Sequence, residues 1–253
     1  MAREIDRKRW CQGRVRELYR WTDTLYSIRV MADVRPFTAG QFTKLGLIID
    51  DELVSRPYSY VNAPQEKPLE FYFVTVPDGP LTNRMVQLAG GDAIEVMYGA
   101  AGFLTLDEVP DAAHLWMLST GTAIGPFLSI LKTAQPWQRF ERVVLVHAVR
   151  YAAELSFPDT IRALRNAHPD QFEFIPVVSR EDTGFALRAR IPILVEDGRL
   201  EQRVALQISA AESQFMICGN PDMVRTTSAA LQARGLERNR RRSPGQITVE
   251  NYW

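Results

Sequence analysis

"HLWMLSTGTAIGPFLSILKTA", residues 114–134, decides how the second half of this chain folds. Its first seven residues are a nearly unbroken apolar run, the pattern of a strand buried on both faces. A glycine turn follows at Gly121, and a helical stretch opens near Gly125 and Pro126. The same rhythm repeats downstream. "RVVLVHAV" (142–149) reads as a strand and "AAELSFPDTIRALRNA" (152–167) as largely helical. "FEFIPVV" (172–178) and "FMICG" (215–219) read as strands, with a helix from Pro221 to about Arg234. Strands alternating with helices predict an open, mostly parallel α/β sheet.

Upstream the rhythm differs. Short β-branched and aromatic runs occur at 25–31, 42–49, 56–62, 69–76 and 93–97, separated by Pro, Gly, Asn and Asp. Many short strands with turn signals predict a small antiparallel β-barrel. One helical segment, "LTNRMVQL" (81–88), interrupts them, with Leu81, Met85 and Leu88 on one face. The change comes at "GAAGFLTLDEVPD" (99–111). The expected fold class is therefore α+β with two domains: an antiparallel barrel over 1–107 and an α/β open parallel sheet over 108–253.

Composition narrows the function. The chain has 253 residues, 46% of them hydrophobic, and a net charge of +0. That size accommodates two cores, and the charge argues against a general nucleic-acid binder. Cys11 and Cys218 stand far apart and make neither a disulfide framework nor a metal spacing. His114, His147 and His168 form no ligand pattern, and His147 reads as a hydrogen-bonded strand residue. No metal is expected. "MAREIDRKRW" is charged and no signal-type apolar stretch follows it; no apolar run approaches a membrane span. A soluble, cytoplasmic, monomeric protein is expected.

Several stretches carry chemistry. "STGTAIGP" (119–126) follows a strand and opens a helix, so its N–H groups suit a pyrophosphate, although a tight packing turn has the same pattern. The strands at 142–149 and 172–178 run on into Arg150 and into Ser179–Arg180, where open α/β sheets bind ligands. With Arg190 these cations suit the extra phosphate on an adenosine ribose, which favours NADP over NAD. "CGNP" (218–221) lets a ligand approach the backbone at Gly219. On the barrel side, "RPYS" (56–59) combines a phosphate partner, a ring and a hydroxyl. "TVPDGPLT" (75–82) leads into a helix start where Thr82 and nearby N–H groups can meet a second phosphate or simply cap a helix. The chain ends in "VENYW", whose two rings are expected to pack on something, the same flat ligand being one candidate.

Taken in order, "RPYS", "TVPDGPLT", "GTAIGP", "VVSRE", "CGNPDM" and the aromatic terminus resemble the bacterial type of the ferredoxin/flavodoxin–NADP reductase family along essentially the whole chain. The resemblance implies an FAD-binding barrel followed by an NADP-binding α/β domain. It implies that Arg56 holds the FAD phosphates, Tyr58 stacks on the isoalloxazine, and Ser59 hydrogen-bonds near its N5. Phe71 and Phe73, Val74 and Thr75 would line the flavin, and Leu81 and Thr82 would meet the pyrophosphate. Thr122 would lie where nicotinamide meets flavin, with Gly219, Asn220 and Pro221 along the groove. Arg150, Ser179, Arg180 and Arg190 would bind the 2′-phosphate. Tyr252 and Trp253 would cover the flavin, and Glu250 would assist in proton or position control. Ala189 stands where the family often has a glycine before the arginine matching Arg190.

The implied activity is hydride exchange between NADP(H) and FAD, with single-electron exchange to a ferredoxin or flavodoxin. Two cysteines cannot hold an iron–sulfur cluster, so a separate, acidic carrier is implied. "RNRRR" (238–242) is a candidate docking patch or a solvated basic turn. A free-flavin reductase and a non-catalytic nucleotide sensor are the rival readings. The aromatic tail argues against the first, and the intact Arg56, Tyr58 and Ser59 against the second.

Overall fold

The computed structural model describes residues 5–252. The first half holds β1 (Trp10–Arg20), β2 (Leu25–Met31), β3 (Phe42–Ile49), β4 (Glu52–Ser59), β5 (Leu69–Val74), the short helix α1 (Thr82–Met85) and β6 (Ala93–Met97). These strands form one six-stranded sheet in the order β4-β3-β6-β1-β2-β5, antiparallel at every pairing. Just past β4 the two edges meet. Tyr60 bridges Phe71, and the Val61 N–H donates to the Glu70 carbonyl at 2.9 Å. This contact closes the sheet into a barrel, which removes exposed edges.

Three details depart from the sequence reading. β1 lies at the centre of the barrel sheet and was not anticipated. Its inward residues Cys11, Gly13 and Val15 alternate with charged Arg14 and Arg16, which hide the run from a search for apolar clusters. β4 starts at Glu52 rather than Arg56, because Asp50 and Asp51 both adopt positive φ (50° and 65°) and make a tight hairpin. That turn matches the twist of paired strands, and aspartate tolerates it better than most residues. The segment at 81–88 is one helical turn, with Leu81 and Met85 buried and Leu88 half-buried.

The second half runs β7 (His114–Thr120), α2 (Ile124–Leu131), α3 (Gln135–Arg139), β8 (Arg142–Val149), α4 (Pro158–Ala167), β9 (Phe172–Val178), α5 (Ile191–Glu196), α6 (Arg199–Val204), β10 (Ser213–Gly219), α7 (Pro221–Gln232) and β11 (Ile247–Asn251). The five strands are all parallel, in the order β11-β10-β7-β8-β9. The chain builds outward from β7 to β9, then returns to place β10 on β7's other side. The order therefore reverses between β7 and β10, and a crevice opens at their carboxyl ends. The edge strand β11 and the helices α5 and α6 were not anticipated.

Each sheet has its own core, and a third cluster straddles both halves. Val61 and Tyr72 from the barrel side pack with Ile124, Phe127 and Leu128 of α2. Polar bonds cross the same junction. Ser129 Oγ donates to the Asn62 carbonyl at 2.7 Å, and Tyr72 Oη and Ser156 Oγ lie 2.7 Å apart. The crevice is thus bounded by two sheets locked through shared packing. Among the described residues, no helix is long and apolar enough to cross a membrane.

Candidate functional site

The crevice has a dry end. Ser59 is the last residue of β4 and is buried. Tyr252 Oη donates to Ser59 Oγ at 2.5 Å, and the Tyr252 N–H donates to the Gly219 carbonyl at 2.9 Å. Glu250 lies opposite Cys218 in the β10–β11 register. Its Oε1 is buried without a hydrogen-bond partner among the described residues, while the carboxylate accepts from the Phe103 backbone. Burial pushes the Glu250 carboxyl up to about 7. Burial also raises the Cys218 thiol well above its usual range, and the Glu250 charge adds to this. The Tyr252 phenol is raised chiefly by burial, then by Cys218. Three groups that can carry negative charge thus gather where a charge is poorly solvated, so each prefers its protonated form.

The barrel wall of this end comes from β4 and β5. Arg56 is exposed and its Nη1 donates to the Ser55 carbonyl at 2.8 Å. Tyr58 is half-buried and meets Phe73 edge-on, with ring centroids 6.1 Å apart. Burial raises the Tyr58 phenol to about 12, against an opposing pull from Arg56. Val74 and Thr75 are half-buried at the end of β5. Phe71 is placed differently, wholly buried inside the barrel against Tyr60, with centroids 5.2 Å apart. Leu81 and Thr82 are buried at the start of α1, where Thr82 Oγ1 accepts from the Val76 N–H at 3.2 Å.

At the switch point the two strand ends are in close contact. Gly219 has φ +144°, and a Cβ there would lie 2.1 Å from Thr120 Oγ1. The same hydroxyl accepts from the Asn220 N–H at 3.1 Å. Thr120 was missed in the sequence; the clue was a β-branched hydroxyl at the end of an apolar strand, directly before a glycine. Asn220 caps α7 by accepting from Asp222 and Met223, and Pro221 occupies the first turn. Gly121 has φ +55°, and its carbonyl lies 3.0 Å from His147 Nε2. His147 is wholly buried, and burial lowers its pKa to about 4. The ring is therefore neutral near pH 7, with Nε2–H donating to Gly121, a strand residue's role as expected. Thr122 is buried in the same turn.

The other end is wet. Arg150 follows β8 and Ser179–Arg180 follow β9. The Arg180 N–H donates to the Arg150 carbonyl at 3.0 Å, and Ser179 Oγ donates to the Val149 carbonyl at 3.2 Å. Leu187 bridges Val177, which brings the chain before α5, and with it Arg190, alongside β9. The guanidiniums of Arg150, Arg180 and Arg190 are exposed and make no ion pair with any described residue. Trp253 lies outside the described residues.

This arrangement has known counterparts. The family profile "Oxidoreductase NAD-binding domain" matches residues 117–229. The chain is 50% identical to the flavodoxin/ferredoxin–NADP reductase of Escherichia coli K12, over 96% of this chain and 99% of that protein. It is 36% identical to the ferredoxin–NADP reductase of Pseudomonas aeruginosa, over 94% and 95% of the two chains. A crystal structure of a ferredoxin NADP+ reductase from Neisseria gonorrhoeae with bound FAD and NADP superposes with a TM-score of 0.91 at 35% identity, covering 97% of this chain and 99% of that one. Identity at this level over nearly the full length, on the same two-sheet fold, places this chain in the flavodoxin/ferredoxin–NADP reductase family.

Proposed function

We infer that this protein is an FAD-containing flavodoxin/ferredoxin–NADP reductase. The observation that carries the reading is the crevice itself. One end gathers Ser59, Cys218, Glu250 and Tyr252 in poorly solvated surroundings, the other carries exposed arginines that make no ion pair with any described residue, and a glycine-lined strand crossing joins them. The residues fit the cofactors. Ser59 accepts from Tyr252 and keeps its own O–H proton to donate, and the buried Glu250 Oε1 has no hydrogen-bond partner among the described residues. FAD, when bound, supplies hydride exchange with NADP(H) and single-electron exchange with the carrier.

The chain's own residues then bind, orient and exclude water. Arg56 would take an FAD phosphate, with Leu81 and Thr82 at the pyrophosphate. Tyr58, Phe73, Val74 and Thr75 would flank the ring system, and Phe71 would support that wall from inside the barrel. Ser59 would donate to the ring edge that receives hydride. Glu250, with a pKa near 7, can hold or release a proton at the site near neutral pH. Tyr252 closes the dry end, and Trp253 would contact the FAD with it. Thr122 and Gly219 to Pro221 would admit the nicotinamide to the crevice. Arg150, Arg180 and Arg190, with Ser179, would hold the 2′-phosphate.

The carrier would be an acidic flavodoxin or ferredoxin docking on residues 238–242. That turn is built rather than frayed. Asn239 Nδ2 donates to the Glu108 carbonyl at 2.6 Å and to Thr248 Oγ1 at 3.0 Å, and Arg240 and Ser243 exchange backbone bonds. Arg238, Arg240, Arg241 and Arg242 make no ion pair with any described residue, which leaves their charge available. We further propose a cytoplasmic monomer with no nucleic-acid partner.

The test is an anaerobic visible spectrum of the purified protein before and after NADPH or, separately, NADH. A flavin spectrum that bleaches much faster with NADPH is the expected result. A protein that stays colourless after added FAD would refute the reductase reading. Equal bleaching by both nucleotides would keep the enzyme and remove the case for the arginine pocket.

A further inference from the structure

The wet end contains two acids as well as its arginines. Glu154 Oε2 accepts from the Arg150 N–H at 2.8 Å and from the Tyr151 N–H at 3.2 Å. Glu181, from the loop after β9, accepts from the Ala152 N–H through Oε1. Three consecutive backbone donors at the end of β8 are thus occupied by two carboxylates from different loops. The Arg150 carbonyl is occupied too, by the Arg180 N–H at 3.0 Å. The backbone of 150–152 is pinned on both sides, while the Arg150 and Arg180 guanidiniums stay exposed and make no ion pair with any described residue.

In dinucleotide-binding sheets, an acid near this strand end typically accepts from the ribose 2′-hydroxyl and selects NAD. Here both acids are turned to backbone donors, and two arginines flank the same backbone. We propose that Glu154 and Glu181 are positioning residues for NADP selectivity. They hold the 150–152 turn so that Arg150 and Arg180 converge on one phosphate, and they are held away from the ribose themselves. Gripping one phosphate between two guanidiniums needs them at a fixed separation, so a loosened turn weakens that grip more than it weakens anything common to both nucleotides.

The proposal rests on the NADP reading above, and the experiment separates the two. Steady-state kinetics with ferricyanide as acceptor are measured with NADPH and with NADH, for the wild type, for Glu154→Ala with Glu181→Ala, and for the matching Gln pair. Inhibition by 2′,5′-ADP and by 5′-AMP is measured alongside. The Ala pair is expected to raise KM for NADPH about tenfold and to weaken 2′,5′-ADP by a similar factor. Its kcat, its KM for NADH and its inhibition by 5′-AMP are expected to move less than about twofold. The Gln pair keeps acceptor oxygens and is expected to lie between the Ala pair and the wild type. If the wild type does not prefer NADPH, the NADP reading fails and the proposal with it. If the wild type prefers NADPH but the Ala pair keeps that preference, only the proposal fails. Equal losses with both nucleotides would reduce the two acids to a general structural role, and tighter NADPH binding would make them simple repellents of phosphate. Either result overturns the proposal.

Discussion

The two ends of the crevice solve opposite problems. At the dry end, Ser59, Cys218, Glu250 and Tyr252 lie together, and burial favours the protonated forms of Cys218, Glu250 and Tyr252. At the wet end, Arg150, Arg180 and Arg190 are exposed and make no ion pair with any described residue. The dry end comes from the meeting of both sheets, because Ser59 belongs to β4 while Glu250 and Cys218 belong to β11 and β10. The wet end is built within the parallel sheet alone. The lesson is that a charge destined for a ligand can be left in water until the ligand comes, whereas a proton held near neutral pH needs walls from more than one element.

The contrast is broken most sharply by pH. His147 is wholly buried and Glu250 half-buried, and their pKa values move in opposite directions. The carboxyl rises from 4.5 to about 7, so its protonated form favours the fold and stability falls as pH rises across that window. The imidazole falls from 6.5 to about 4, so its neutral form favours the fold and stability rises between those values. Each shift corresponds to about 3 kcal/mol, and the two largely cancel between about pH 4.5 and 6.5. Urea unfolding against pH is expected to show a shallow slope there for the wild type. Glu250→Gln should unmask a rising slope and His147→Gln a falling one. Unchanged profiles in both variants would mean that neither group is held as dry as the structure places it.

The wet end is tested by Arg150→Ala combined with Arg180→Ala. Loss of two charge-assisted contacts is expected to raise KM for NADPH about 100-fold while KM for NADH stays within about twofold. Parallel losses with both nucleotides would show that the arginines serve the fold rather than the extra phosphate.

The smallest expected effect lies at the rim. Tyr252→Phe removes the donor to Ser59 and leaves that buried hydroxyl with one bond fewer, at a cost of about 1 kcal/mol in unfolding free energy. Denaturant titration reads the loss, and a null result would place the hydroxyl of Tyr252 outside the forces that close the dry end.

Much of this was readable along the chain because local patterns carry it. The apolar strand, glycine and helix at 114–134 appear as β7, its turn and α2. The reversal of rhythm near residue 107 separates the last barrel strand from the first parallel one. β1 escaped notice because its outward face is charged and its inward face includes a cysteine and a glycine. Phe71 and Phe73 have the same two-residue spacing and look alike in sequence. Yet Phe71 packs against Tyr60, whereas Phe73 also reaches Tyr58 next to Ser59. Thr120 could be singled out only once β10 was seen to lie against β7, because its partner Asn220 is distant in sequence.

The sequence by itself determined most of the elements, their order, and which side chains could meet phosphates and rings. Those properties follow from periodicity, turn chemistry and functional groups, each read within a few residues. Only the tertiary structure decided which groups are dry. Burial depends on what packs from elsewhere, so the high pKa of Glu250, the low pKa of His147 and the engagement of Glu181 with the Ala152 N–H arise from contacts between distant segments.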